Sequence, residues 1–177
     1  MLLLTGRPGI GKTTALRAVA AAAGRTRRVA GFYTEEIRAR GVRSGFRIVT
    51  LDGEAAVMAD ASRHGGPRVG KYGVDLAAIE AVAVPAITPR HALDVYLIDE
   101  IGKMECLSPA FVAAMRTLLD SSATVVATVA ERGGGFIAEV KRRGDAEMWP
   151  LTRANRDDVP ARVLKWLDAT GRARRGA

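Results

Sequence analysis

The sequence predicts an α/β domain in which a mainly parallel central sheet is covered by helices on both faces. Three observations carry this. Short β-type runs alternate with helix-type stretches along the chain. The central runs are apolar almost throughout, as in strands buried on both sides. With 177 residues, 48% of them hydrophobic and 26% charged, the chain has enough apolar material for one sizeable core but little room for two.

The elements follow in order. Leu2 to Thr5 is a buried strand. Lys12 to Ala23 is an alanine-rich helix of high helix propensity, closed by Gly24. VAGFYTEEIR and SGFRIVTL, rich in β-branched and aromatic residues, flank ARGVR, whose Gly41 suits a turn, so they form a hairpin. His64 to Gly73 holds four glycines and no apolar period, which predicts a surface loop. Asp75 caps a helix that bends or stops before Pro85, and Pro85 to Pro89 is a connection. DVYLIDEIG is a buried strand running into a loop, and Ser108-Pro109 opens a helix to about Leu119. Thr124 to Ala130 is another apolar strand. Phe136 to Arg143 is a short amphipathic helix, EMWPLT a last strand, and Asp158 to Leu167 a final helix. The domain spans 1–170, and the arginines of 171–177 form a basic tail.

Net charge is +8, carried mostly by arginine, so a nucleic-acid partner has to be weighed. Aromatics make up only 5% of the chain, and the basic residues are dispersed, which favours a solvated arginine-rich surface over a base-stacking platform. Cys106 is the only cysteine, so no intramolecular disulfide forms, and a cytoplasmic location is expected. No apolar run reaches membrane-spanning length, and no secretory leader is recognisable.

The chemistry begins at GRPGIGKTT. Gly6 to Thr13 fits the phosphate-loop pattern G-x-x-x-x-G-K-[ST] at every specified position, between a strand and a helix as that motif requires. Glycines at 6, 9 and 11 let backbone N–H groups turn toward anionic oxygens, and the helix N-terminus adds its dipole. Lys12 reaches the terminal phosphates, the Thr13 hydroxyl ligates Mg²⁺, and Thr14 supports the loop. These features specify the fold as a three-layer phosphate-loop NTPase with a β-hairpin extension.

A second constellation, Val95 to Glu100, brings two carboxylates to the carboxyl edge of the sheet, where open α/β sheets bind ligands. Asp99 accepts hydrogen bonds from magnesium-bound water, and Glu100 orients or polarises the attacking water. The alternative is that both acids solvate a strand end or cap the following turn. No arginine has the spacing of a finger, which predicts slow turnover. Lys103 is the first choice for neutralising transferred charge, with Lys71, Arg68 and Arg156 as further candidates. Lys103 paired with Glu105 is an equally good reading, and Arg68 and Lys71 also fit a solvated loop. Asn155 and Arg156 either contact the base or, for Asn155, cap a helix. Thr128 reads as a satisfied core threonine or a γ-phosphate sensor. His64 and His91 give no metal-ligand spacing, and Cys106 reads as a packed thiol.

The stretches GRPGIGKTT, GFYTEEIR with GFRIVTLDG, RVGKYGVDL, LIDEIGKME and TRANR resemble the family of small nucleoside-triphosphatases of thermophilic prokaryotes, with a cancer-related form in animals. The likeness spans most of the chain. It implies Mg²⁺-dependent hydrolysis of ATP, GTP and other nucleoside triphosphates to the diphosphate and phosphate, on a sheet related to recombinase-type ATPases. By that resemblance Gly6, Arg7, Pro8, Gly9, Ile10, Gly11, Lys12, Thr13 and Thr14 contact nucleotide. So do Val95, Tyr96, Leu97, Ile98, Asp99, Glu100, Ile101 and Gly102. The residues' own chemistry and position give catalytic roles to Lys12, Glu100 and Lys103 and metal roles to Thr13 and Asp99. No obligate protein partner is evident. Two rivals remain at this stage: a small-molecule kinase using Glu131 to Gly135 and Arg132 as a lid, and a nucleotide-gated nucleic-acid-binding module.

Overall fold

The computed structural model describes residues 1–91 and 93–175, with side chains to Arg172. Among these residues nine strands form one sheet in the order β5-β6-β4-β3-β2-β7-β8-β1-β9. They are β1 (Leu2–Gly6), β2 (Val29–Ala39), β3 (Val42–Thr50), β4 (Ala55–Asp60), β5 (Arg68–Val69), β6 (Tyr72–Val74), β7 (Val95–Ile101), β8 (Val125–Ala130) and β9 (Glu147–Pro150). The body β2-β7-β8-β1-β9 is parallel throughout. Strands β3 to β6 add an antiparallel wing.

Among the described residues five helices, α1 (Lys12–Ala23), α2 (Leu76–Ile87), α3 (Pro109–Asp120), α4 (Gly135–Lys141) and α5 (Val159–Arg175), cover the sheet. Strand periodicity divides the core between two faces. Leu2, Leu4, Val95, Leu97 and Val126 point into a cluster with Ala15, Leu16 and Val19 of α1 and Val163 and Leu167 of α5. Their neighbours Leu3, Tyr96, Ile98, Val125 and Ala127 point the other way, onto Ile79 and Val82 of α2, Phe111 and Met115 of α3, and Ile137 and Val140 of α4. The result is three layers. Tyr96 is buried but satisfied: its hydroxyl donates to the Thr88 carbonyl at 3.0 Å and accepts from the Arg90 amide at 2.7 Å.

The caps behave as the sequence reads. Asp75 accepts from the Ala78 amide at 3.1 Å, and Ser108 from the Phe111 amide at 3.0 Å, with Pro109 in the first turn. Four local expectations are corrected. Helix α2 continues through Pro85 to Ile87, because Pro85 falls in the last turn and burial of Ala86 and Ile87 outweighs one missing backbone bond. The Thr88 hydroxyl then closes that end on the Val84 carbonyl at 2.8 Å. His64 to Gly73 is not wholly loop: β5 and β6 form a tight hairpin across Gly70 and Lys71, and Tyr72 packs edge-on against Phe46 at 5.1 Å. Strand β4, absent from the sequence reading, pairs with β3 although its alanines have low strand propensity, because Met58 and Ala59 reach the core. Finally, α5 runs through Arg175, so residues 171–175 extend the helix and the expected boundary at 170 falls inside it; Gly176 and Ala177 lie outside the described residues.

Gly31 sets how closely the wing joins the body. It pairs with Leu97 at φ +122°, and a Cβ built there would stand 1.9 Å from the Leu97 carbonyl oxygen. No side chain fits without separating β2 from β7. Gly31→Ala should therefore cost about 3 kcal/mol or more in urea unfolding, combining backbone strain and overpacking. Gly53→Ala, at φ +102° with no atom within 4 Å, should cost only the strain and serves as the comparison.

Candidate active site

Parallel strands β1, β7 and β8 end side by side, at Gly6, Ile101 and Ala130. The β2–β3 hairpin rises beyond them, and a cleft of about 840 Å³ opens over this edge. Its floor is the glycine loop between β1 and α1, with Gly6, Pro8, Gly9, Gly11, Lys12, Thr13 and Thr14 lining it. Gly11 starts α1 at φ +108°, a backbone state that other residues rarely adopt. Lys12 is 8% exposed, and its ammonium donates to the Gly6 carbonyl at 3.2 Å across the loop. The opposite walls are Thr34, Glu35, Glu36, Arg43 and Phe46 of the hairpin, Glu100 and Gly102 to Glu105 after β7, and Ala130, Glu131 and Arg132 after β8.

Asp99 is fully buried behind this cleft. Its Oδ1 accepts from the Thr128 hydroxyl at 2.7 Å, and its Oδ2 from the Thr34 hydroxyl at 3.2 Å and amide at 3.4 Å. Thr128 is thus a satisfied core threonine whose partner is the acid itself. The Asp99–Glu100 peptide is cis, at the point where pairing with β8 shifts register between Ile98 and Ile101.

Electrostatics along the acidic segment run one way. Burial pushes the Glu100 carboxyl above its usual range, with the Lys12 charge opposing and Asp99 adding to the rise. Glu105 is 5% exposed, and burial pushes it to about 8; its own amide and that of Gly102 pull downward, while Glu100 and Asp99 push further up. Burial, with Glu105 and Glu100 nearby, pushes the Cys106 thiol up to about 12, which fits a packed thiol rather than a nucleophile.

The structure sorts the residues expected at the site. Gly6, Pro8, Gly9, Gly11, Lys12, Thr13, Thr14, Glu100, Gly102 and Lys103 meet in the cleft. Val95, Tyr96, Leu97, Ile98 and Ile101 do not: at 0–1% exposure they are core side chains that carry the acids rather than contact a ligand. Ile10 packs on the α1/α5 core, and Arg7 is exposed off the cleft wall. The Asn155 side chain neither caps a helix nor faces the cleft; it accepts from the Thr152 amide at 2.8 Å and donates to the Pro150 carbonyl at 2.9 Å, closing the turn after β9. The stem of Arg156 lies beside Gly11, with its guanidinium toward Asp157 at 3.6 Å. Arg68 folds back onto the carbonyls of Arg63 and Lys71, and the Lys71 ammonium sits over the Tyr72 ring. Among the described residues Lys103 forms no ion pair, so pairing with Glu105 is not realised, and no cluster of three or more metal-binding side chains occurs. Sequence reasoning missed Thr34, whose role depends on the β2–β7 register, and Glu105, which lies four residues beyond the strand.

A protein-family model described as NTPase matches residues 1–164. The chain belongs to this NTPase family. It is 38% identical over 167 residues to a nucleoside-triphosphatase THEP1 of Thermotoga sp. (strain RQ2), covering 94% of each chain. It is 35% identical over 175 residues to a cancer-related nucleoside-triphosphatase homolog of Mus musculus, covering 89% of this chain and 91% of that one. Among solved structures, the crystal structure of THEP1 from Aquifex aeolicus superposes with a TM-score of 0.85 at 34% identity, covering 94% of this chain and 99% of that one. No helix among the described residues of this NTPase-family enzyme is long and apolar enough to cross a membrane.

The raised Glu105 carboxyl has a thermodynamic consequence. Between the ordinary value of 4.5 and about 8 the native state holds a proton that the unfolded chain has released, so stability falls as pH rises through that window. Urea midpoints measured on either side of it should show this decline in the unmodified enzyme and a smaller one in Glu105→Gln.

Proposed function

We propose that this enzyme is a phosphate-loop nucleoside-triphosphatase that hydrolyses ATP, GTP and other nucleoside triphosphates to the diphosphate and phosphate. The observation that carries the reading is the convergence of a glycine loop, its lysine and a strand-end glutamate in one cleft. The loop amides and the α1 N-terminus receive the phosphate chain. Lys12 exchanges its bond to the Gly6 carbonyl for terminal phosphate oxygens, and Glu100 aligns a water on the phosphorus. A carboxyl raised toward neutrality by burial is better matched to taking a proton from that water than an exposed one. Lys103, at the cleft wall and without an ion pair among the described residues, is the first choice for balancing charge on the transferred group.

The donor set fits Mg²⁺. Thr13 offers a hydroxyl in the cleft and Asp99 a carboxylate fixed behind it, both hard oxygens, and Mg²⁺ is commonly held by one or two protein oxygens together with substrate phosphates and water. Thr13 would hold the ion directly and Asp99 through its water. When bound it neutralises charge on the β- and γ-phosphate oxygens. Triphosphate supply and a lone reduced cysteine both suit a cytoplasmic setting.

The test is phosphate release, without any acceptor, across a panel of nucleoside triphosphates with Mg²⁺. Glu100→Gln should lower kcat by about 10²- to 10⁴-fold with little change in nucleotide affinity, and Lys12→Ala should lose both binding and turnover. Hydrolysis that survives both substitutions would overturn the assignment.

A further inference from the structure

Glu105 is the buried one among the acidic side chains that line the cleft, and the proposed reaction leaves it without a task. It lines the cleft at 5% exposure, and among the described residues no lysine or arginine pairs with it. A buried carboxylate without a cation or a full set of donors is costly, and such a group sheds its charge by keeping its proton. Its backbone is fixed: the 3-10 turn Glu105–Leu107 is held by the Cys106 amide on the Gly102 carbonyl at 3.1 Å and the Ser108 amide on the Glu105 carbonyl at 3.1 Å.

Gly102 lies between this acid and Glu100. A Cβ built on Gly102 would stand 2.8 Å from Glu105 Oε2 and 3.4 Å from Glu100 Cδ, so both carboxyl groups border the same small space. A side chain at 102 would fill it. Two carboxyl groups so placed favour sharing one proton over carrying two charges.

We propose that Glu105 is a positioning residue for Glu100, donating its carboxyl hydrogen bond, directly or through one water, to the Glu100 carboxylate and fixing the direction in which that carboxylate faces the phosphorus. The idea rests on the reading of Glu100 as the residue that aligns water. The surroundings agree with a neutral Glu105. Asp99 and Glu100 face it from β7, and both oppose its ionisation. Lys12 of α1 acts on Glu100, Glu80 of α2 is taken up by the Ser108 hydroxyl at 2.8 Å, and the adjacent Cys106 thiol is uncharged. Lys103 is exposed at the start of the same turn. The carboxyl raised to about 8 supports the same state at neutral pH.

The test compares kcat, KM, nucleotide affinity and thermal unfolding for the unmodified enzyme, Glu105→Gln and Glu105→Ala from neutral to alkaline pH. Glu105→Ala should lower kcat about 10- to 100-fold with KM within about twofold, the scale of one hydrogen bond to a charged group. Glu105→Gln keeps an N–H donor in place of the O–H and should restore most of that loss. In the unmodified enzyme kcat should fall as pH rises past about 8, and Glu105→Gln should lack that fall. Full activity in a folded Glu105→Ala, or a folded, nucleotide-binding Glu105→Gln as impaired as Glu105→Ala, would overturn the proposal. So would a kcat that stays level past about 8 in the unmodified enzyme, a result that needs no variant to fold. If Glu100→Gln also hydrolyses normally, the parent reading has failed. If Glu100→Gln is inactive, only the role of Glu105 has.

Discussion

A single buried carboxylate ties the two halves of the sheet together at the edge where the cleft opens. Asp99 ends the apolar run of β7, accepts from Thr128 on β8 on one side and from Thr34 on β2 on the other, and is fully enclosed. Removing such a group from water is tolerable only when its oxygens are satisfied, so the three strands must hold Asp99, Thr128 and Thr34 side by side. That constraint fixes where Glu100 emerges. It also fixes the base of the β2–β3 hairpin, because Thr34 lies two residues beyond Phe32, the last residue of β2 paired with β7, where β2 continues into the wing. The glycine loop meets the same edge from β1, so loop, acids and hairpin converge through backbone pairing rather than long flexible side chains.

What the sequence disclosed and what it hid follow the range of the interactions involved. The loop after β1, the caps at Asp75 and Ser108 and the apolar strands β1, β7 and β8 are set by neighbours within a few residues, and all stand where the sequence places them. The wing beyond the first hairpin was hidden: Ala55–Asp60 has little strand propensity and becomes a strand only because β3 presents an edge to it. Within the site, the glycine-loop residues and Glu100 were legible from type and spacing. Of the strand Val95 to Glu100, the apolar half is core and only Glu100 reaches the cleft, a division that the motif's spacing does not reveal. Thr34 and Thr128 were not legible as partners of the acid, since Asp99 lies 65 and 29 residues away from them.

The arginine-rich composition takes on a specific meaning at the hairpin. Glu35 holds Arg17 at 3.0 Å and Arg47 at 2.5 Å, and Glu36 holds Arg38 at 2.5 Å together with Arg43. Arg17 also lies over the Tyr33 ring at 4.5 Å, so α1, β2 and β3 are cross-linked beside the cleft mouth. Each exposed pair contributes little alone, but a network anchored on adjacent residues of one strand loses less side-chain freedom per contact than isolated pairs do. Elsewhere Arg116 pairs with Glu139 at 2.7 Å, and Arg143 with Asp120 and Asp145 at 2.6 and 3.0 Å. Part of the positive charge is therefore matched locally. Among the described residues the cleft cations without an ion pair are Lys12, Lys103 and Arg132, gathered where a triphosphate would place its own charge.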